Sequence, residues 1–310
     1  MFKHSSNFNY KIQGARSENC VLIDSEKWLL NDSNAIIGIN SRGGIANTYI
    51  TEVLAANFSE DLINREGDLK EGDKILITAV AARLYGARPF KIPLNFDSSR
   101  YTDIPFAHII GIFRAGMISV ASLSLLGSYI LLERVKGVDE IDGLQVTTNH
   151  TESIYKVYQK SSTAALEIID DYILLRDNVT TPIMLDGVQY YAASYKDVIA
   201  GFGNNPEKFT LETVKNVYNN YFVMTDEQIQ EAFDGSNIYK PNYDFEQDDE
   251  YITEIYDESR FKVVLSGNKD FNKGDVLYAI REPLEYCTLH GKKYYVTNSK
   301  QFILAKVTGE

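Results

Sequence analysis

The residues able to do chemistry are few and scattered. The four histidines, His4, His108, His150 and His290, stand far apart, with no HExxH, no cysteine pair and no carboxylate spacing suited to a metal. The acidic run Glu246, Asp248, Asp249 and Glu250 has the charge to hold calcium. It lacks the alternating ligands and the glycine of a calcium loop, and reads as a solvated face. Arg42-Gly43-Gly44 reads as a turn, because no Walker loop, GxSxG elbow or GxGxxG after a strand is present. Two cysteines, Cys20 and Cys287, cannot make a disulfide framework, so a reducing compartment or a particle assembled inside a cell is expected. The residues thus assign no catalytic group, no cofactor and no metal, and the chemistry left to explain is contact between proteins.

Composition narrows the partners. The chain has 310 residues, 44% hydrophobic and 24% charged, enough to bury substantial cores. Its net charge of −12 repels phosphate backbones, so nucleic acid is not expected as a general partner. Against that acidic background, Arg83, Arg88 and Arg100 gather in the segment Ala81 to Asp103, an inserted loop and a candidate contact surface. The 21 tyrosines suit strand surfaces and protein interfaces alike. Met1-Phe-Lys-His-Ser-Ser lacks the apolar stretch of a secretory signal. Ala115 to Leu132 is 18 residues without a charge, but its serines and glycines read as a linker and a strand rather than a membrane span.

The elements that must position any contact surface come from a repeat. From Phe271 to Val307 the chain reads as a turn and strand, FNKGDVLYAI, then a second turn, LHGKKYYV, then a closing strand, QFILAKV. Leu166 to Phe202 follows the same plan with LEIIDDYILL, MLDGVQYYAA and KDVIAGF, and Asp171 to Gly187 and Asp275 to Gly291 are both 16 residues apart. An earlier version, DLKEGDKILITAV, closes on AHIIGIF at Ala107 to Phe113. YITEV at Tyr49 and YITEI at Tyr251 each precede a Gly-Asp turn by 24 residues, which suggests equivalent strands, with SIYKVY at Ser153 in that place in the middle copy. Opening strands are expected at Cys20, Ser128 and Asn220, and short helices at FTLETVKNVYNN and DEQIQEAF. The expectation is an all-β chain of three tandem units, 1–117 with an N-terminal arm, 118–204 and 205–310, with short helices in the linkers.

The turns and closing strands resemble those of the co-chaperonin family, the small lid proteins of the GroES type. The resemblance rests on Lys273-Gly274-Asp275-Val276-Leu277 and Lys70-Glu71-Gly72-Asp73-Lys74-Ile75 for its first turn. Leu185-Asp186-Gly187-Val188-Gln189-Tyr190, Asp197-Val198-Ile199-Ala200 and Phe302-Ile303-Leu304-Ala305-Lys306-Val307 carry its later elements. It implies small, partly open β-barrels, each with a protruding loop, and a binding protein without chemistry of its own. Such lids grip a chaperonin through apolar residues at the loop tip. The candidates by position are Ile39, Ile45, Leu144 and Val146, and Ile238 with Tyr239. Because three fused units do not match the family's sevenfold rings, the chain is expected to span quasi-equivalent positions of a larger particle. The expected setting is a bacteriophage virion assembled in the host cytoplasm, as an auxiliary capsid or tail component. The alternative is a cytoplasmic co-chaperonin that caps a chaperonin.

Overall fold

A computed structural model describes residues 17–24, 29–30, 48–78, 101–114, 117–135, 138–141, 144–147, 153–226, 238–239, 260–280 and 284–307. The first stretch of chain forms β1 (Cys20–Asp24), β2 (Leu29–Leu30), β3 (Thr48–Asn57), α1 (Glu60–Glu66), β4 (Lys74–Thr78), β5 (Tyr101–Pro105), β6 (Ile109–Phe113) and β7 (Leu123–Leu125). The middle forms β8 (Tyr129–Arg134), β9 (Val138–Ile141), β10 (Leu144–Thr147), β11 (Ile154–Lys160), α2 (Ser162–Glu167), β12 (Tyr172–Leu175), β13 (Thr181–Leu185), β14 (Val188–Ser194), β15 (Val198–Gly203) and β16 (Asn216–Val217). The last forms β17 (Phe222–Asp226), β18 (Ile238–Tyr239), β19 (Arg260–Ser266), β20 (Val276–Ala279), β21 (Glu285–Leu289), β22 (Lys292–Thr297) and β23 (Ile303–Val307).

Apart from the two-stranded ribbon β9–β10, these strands form three sheets that share one order over five strands. The first runs β5-β1-β3-β4-β6-β7 with β2 beside β3, the second β13-β14-β8-β11-β12-β15-β16, and the third β21-β22-β17-β19-β20-β23-β18. In each, the opening strand lies beside the strand that precedes the closing segment, and the closing strand lies beside the one that follows the Gly-Asp turn. The chain is all-β in class, as expected. Among the described residues no pairing joins the two ends of a sheet, so none closes into a barrel.

One backbone hydrogen bond fixes which residues are equivalent. The N–H groups of Val53, Val157 and Val263 donate to the carbonyls of Asp73, Asp171 and Asp275 at 2.9, 2.7 and 2.8 Å. Gly72 and Gly274 take positive φ, 89° and 99°, which glycine adopts without a Cβ clash. The aspartate then closes its own turn: Asp73 Oδ2 accepts from Lys70 N at 2.8 Å and Asp275 Oδ2 from Asn272 N at 2.6 Å. This anchoring corrects the pairing of YITEV with YITEI. The strand facing β20 is β19, so Val263 is the counterpart of Val53, and Tyr251 to Ile255 lies outside the described residues.

The expected helix after Pro206 is also corrected. Leu211–Thr213 is a single 3-10 turn closed by a capping box between Thr210 and Thr213, and Asn216–Val217 pairs with β15. Phe209, Leu211 and Val214 pack on a core instead of completing a helical face. The linker before the second repeat is built the same way, with Ser119 and Ser122 boxing the turn Val120–Ser122. The two α-helices of the described chain lie inside repeats, between the second strand and the Gly-Asp position, not in the linkers as expected. Asp226 ends β17, and the rest of DEQIQEAF lies outside the described residues. Ala115 to Leu132 holds the Val120–Ser122 turn, β7 and the start of β8, and no described helix is long and apolar enough to cross a membrane.

The chain divides into two compact units. One comprises Met1–Leu131, Gln159–Leu166 and Thr181–Ala192, the other Leu132–Tyr158, Glu167–Thr180 and Ala193–Glu310.

In the first unit, alternation along the strands sends residues to two faces. Val21, Ile23, Val53, Ile75, Ile77, Ile104, Ile109 and Ile112 meet in one cluster, so the sheet curls over its own inner face. Ile50, Leu76, Ile110, Phe113, Leu123 and Leu125 point the other way and pack against Ile183, Leu185, Tyr190 and Ala192 of the β13–β14 hairpin. Gly111 permits the end strand to close: a Cβ there would lie 2.7 Å from Ser124 O and 2.8 Å from Leu123 Cδ1. The hairpin turns on Asp186 and Gly187, both at positive φ (52° and 75°), as a tight two-residue turn requires.

The second unit repeats the scheme. Phe222, Met224, Phe261, Val263, Leu277, Ala279 and Ile303 fill the inner face of the third sheet. Its β21–β22 hairpin, turning on His290 and Gly291 at φ 51° and 68°, lays Cys287, Leu289 and Val296 on Ile154, Leu174, Ile199, Ala200 and Phe202. In both units the hairpin of one repeat therefore covers the outer face of the repeat before it.

Burial of Leu185 is shared between two repeats, so its loss is felt in both. Leu185→Ala is expected to destabilise by about 2–5 kcal/mol in urea unfolding. It should also lower amide-exchange protection in β4 and β6, which do not contain the mutated residue; unchanged protection there would show that the hairpin is not part of that core.

Candidate functional site

Among the described residues no group of His, Cys, Asp or Glu could hold a metal, and the polar side chains that gather most densely are those that bind repeat to repeat. In the first unit the bridging acid is Glu66, the last residue of α1. Its Oε2 accepts from Gly127 N at 2.9 Å and its Oε1 from Thr163 Oγ1 at 3.2 Å. Gly127 takes a left-handed φ of 56° just before β8, and Ser161 Oγ donates to its carbonyl at 2.6 Å. Asp186, at the hairpin tip, accepts from Val120 N at 2.8 Å. Glu66 of the first repeat thus satisfies a backbone N–H at the start of the second, and Asp186 one in the linker that precedes its own repeat, bonds stronger than neutral ones.

In the second unit the acid that bridges to the following segment is Asp170, 3% exposed. It occupies the place that Gly72 and Gly274 hold in the other repeats. Its Oδ2 accepts from Asn216 Nδ2 at 2.9 Å and from the Tyr218 hydroxyl. Gly201 makes room, since a Cβ there would fall onto the Asp170 carboxylate. Burial, and then the bond to Asp170, push the Tyr218 phenol up to about 12. The opening turn beyond holds Asn219 and Asn220 at φ 53° and 56°, with Asn219 Nδ2 donating to the carbonyls of Tyr195 and Val198 at 2.9 Å.

A second polar cluster in that unit joins the start of β11, the end of β12 and β21. Ser153 N donates to Thr288 O at 3.0 Å, and Thr288 N returns a bond to Ser153 Oγ at 2.8 Å. The Asp177 carboxylate accepts from Ser153 Oγ on one oxygen and from Thr288 Oγ1 at 2.8 Å on the other. Arg176 bridges Asp197 and Glu285. Ser153 Oγ thus donates to the Asp177 carboxylate and accepts from Thr288 N, so the hydroxyl is held on both sides within the cluster. The cluster ties β21 of the third repeat to the second repeat.

The cysteines are inert. Burial, reinforced by the charge of Asp103, pushes the Cys20 thiol up to about 11. Burial with Asp177 nearby pushes Cys287 up as well. Both stay protonated at neutral pH, and the thiolate is the reactive form. Among the described residues no three His, Cys, Asp or Glu side chains gather in a way that could hold a metal.

Of the contact residues expected from sequence, Leu144, Val146, Ile238 and Tyr239 lie in described strands. Leu144 and Val146 lie in β10, which pairs only with β9 in a two-stranded ribbon. Ile238 and Tyr239 form β18, the end strand of the third sheet, opposite Val307 and Lys306. Ile39, Ile45, Arg83, Arg88 and Arg100 lie outside the described residues. Sequence reasoning missed Glu66, Asp170, Ser153, Asp177, Arg176 and Thr288. One signal was present for Asp170, an aspartate where the repeat otherwise carries glycine. No known family model matches the chain, and no curated protein is significantly similar to it.

The Tyr218–Asp170 bond makes stability fall at high pH. A phenol whose folded pKa is raised favours the protonated form, so its contribution is intact below the ordinary tyrosine value near 10 and is lost as pH rises toward about 12. Urea unfolding at stepped alkaline pH should show this decline. Tyr218→Phe should flatten that segment and, by leaving Asp170 one donor short, lower stability at neutral pH by roughly 1–3 kcal/mol. Equal alkaline slopes in both proteins would remove Tyr218 as the cause.

Proposed function

We propose that the chain is a non-enzymatic structural subunit of a large protein assembly, an auxiliary capsid or tail component of a bacteriophage virion built from co-chaperonin-like barrels in tandem. The observation that carries this reading is the same strand order met three times, with each hairpin laid on the preceding repeat. A chain jointed in this way offers one surface at several successive positions, which suits a lattice or ring of neighbours. The polar clusters support the reading as well, since their serine, aspartates and arginine are spent on holding repeats together. The resemblance of the Gly-Asp turns and closing strands to GroES-type lids supplies the barrel component; fold by itself carries no function.

A second reading, a co-chaperonin that caps a chaperonin, is favoured by the β9–β10 ribbon. It leaves the second repeat between the opening strand and β11, where lids of that family carry their gripping loop. Its register sets Leu144 opposite Ile141 and Val146 opposite Asp139, and residues directly opposite share a face. Ile141, Leu144 and Val146 therefore belong to one face of the ribbon despite the intervening Gln145.

Mass spectrometry of purified native particles separates the two. The first reading expects this chain at fixed stoichiometry in virions; the second expects ATP-dependent co-purification with a chaperonin, abolished by deleting 137–152. Recovery only as a free protein with neither association would sink both.

A further inference from the structure

We propose that the first repeat carries a receiving site for a carboxylate, and that its occupant is Asp270 of a second copy of this chain, in a head-to-tail contact. The inference rests on the reading of the chain as an assembly subunit and names its partner.

The site is an open cleft of about 340 Å³ between the turn before β1, α1 and the 3-10 turn after β5. Asn19, Ser59, Leu62 and Phe106 line it, with Arg65 and Glu18 at its rim. Asn19, at φ 56°, is locked to Ser59 by two bonds, from Ser59 N at 3.0 Å and Ser59 Oγ at 3.1 Å, so the cleft wall is preformed. Phe106 is held edge-on by Phe58 at 5.7 Å between centroids. Arg65 is exposed, in the last turn of α1, and among the described residues it has no ion pair or hydrogen bond. A guanidinium with five donors and no acceptor, beside an apolar wall, matches an incoming carboxylate. Repulsion from Glu18 directs that carboxylate to the Arg65 side.

The molecule contains two precedents for the occupant. The equivalent place in the second repeat, formed by the left-handed Gly127, the Ser161 cap and α2, is filled by the Glu66 carboxylate of the first repeat. In the second unit, Asp170 reaches forward to Asn216 and Tyr218, directly before the left-handed Asn219–Asn220 turn. In both, the acid comes from the segment between the second and third strands of the preceding repeat. In the third repeat that segment is Gly267 to Asp275; of its two acids, Asp275 is spent on its own turn and on Lys306, which leaves Asp270. Asp270 pairs with Lys300, and the two side chains are 55% and 60% exposed. Such exposed pairs contribute little, so Arg65 of a neighbouring copy can replace Lys300.

The test is sedimentation velocity of the full chain over a concentration series up to its solubility limit. Concentration-dependent association is expected, weakened roughly tenfold by Arg65→Glu or Asp270→Arg alone and restored when both are combined. Both side chains are exposed, and circular dichroism with urea unfolding checks that the variants remain folded. A wild-type chain that stays monomeric, association indifferent to Arg65→Glu, or failure of the double variant to recover overturns the contact. A monomer that is nonetheless found in native particles overturns this contact and leaves the proposed function standing; association without incorporation into any particle does the reverse.

Discussion

A seven-stranded sheet has two faces, and water can be kept from only one of them by the sheet's own curl. The inner face of the first sheet is closed by its own strands around Val21, Ile75 and Ile109. Its outer face carries Ile50, Leu76, Ile110 and Phe113, which would stand in water without a cover. Burying each such side chain is worth about 1.5–3 kcal/mol, so covering the outer face decides whether the repeat is stable. The cover is the next repeat's hairpin. Leu185 does this in the first unit and Leu289 in the second. Everything else in the architecture follows from that need: a hairpin with a two-residue turn, a linker short enough to bring it back, and a glycine at 111 where strands approach closely.

This arrangement also explains where the polar residues are spent. Once a hairpin lies on the preceding repeat, the backbone groups at its margins lose water and must find partners. Glu66 and Asp186 supply them for Gly127 N and Val120 N, while Asp170 and Asp177 accept from side chains on adjoining elements. The third repeat meets a different demand: Lys306 bonds Asp275 at 2.7 Å, locking its Gly-Asp turn to the closing strand. At the equivalent position the second repeat has Gly201, which leaves room for Asp170. One fold thus accommodates a lysine–aspartate pair in one repeat and a buried aspartate held by tyrosine and asparagine in another. Both leave the carboxylate satisfied.

The parts legible in the sequence were those fixed by short-range rules. The Gly-Asp turns at 72–73 and 274–275 and the turns at 186–187 and 290–291 need particular residues at particular φ, so their spacing could be read directly. The alternating apolar strands that follow them were equally plain. The equivalence of Tyr49 with Tyr251 was not, because the segment between the second strand and the Gly-Asp turn differs in length among the repeats and equal spacing was accidental. The helix expected after Pro206 failed for a related reason. Phe209, Val214 and Val217 would lie near one face of a helix, but a capping box stops the turn at Thr213 and the sheet edge offers Asn216 and Val217 partners that a helix cannot.

By itself the sequence determined the all-β class, the repeat, the positions of its tight turns and the lack of any recognisable catalytic motif, because each depends on residue type within a few positions. The tertiary structure alone decided that each hairpin serves the repeat before it, that Asp170 is buried and that it and Asp177 are hydrogen-bonded, and that Leu144 and Val146 share a ribbon with Ile141. Those facts depend on which distant segments meet, and a pairing across a hundred residues leaves no mark in local spacing. A sheet's outer face announces that it must be covered, but only the folded chain shows by what.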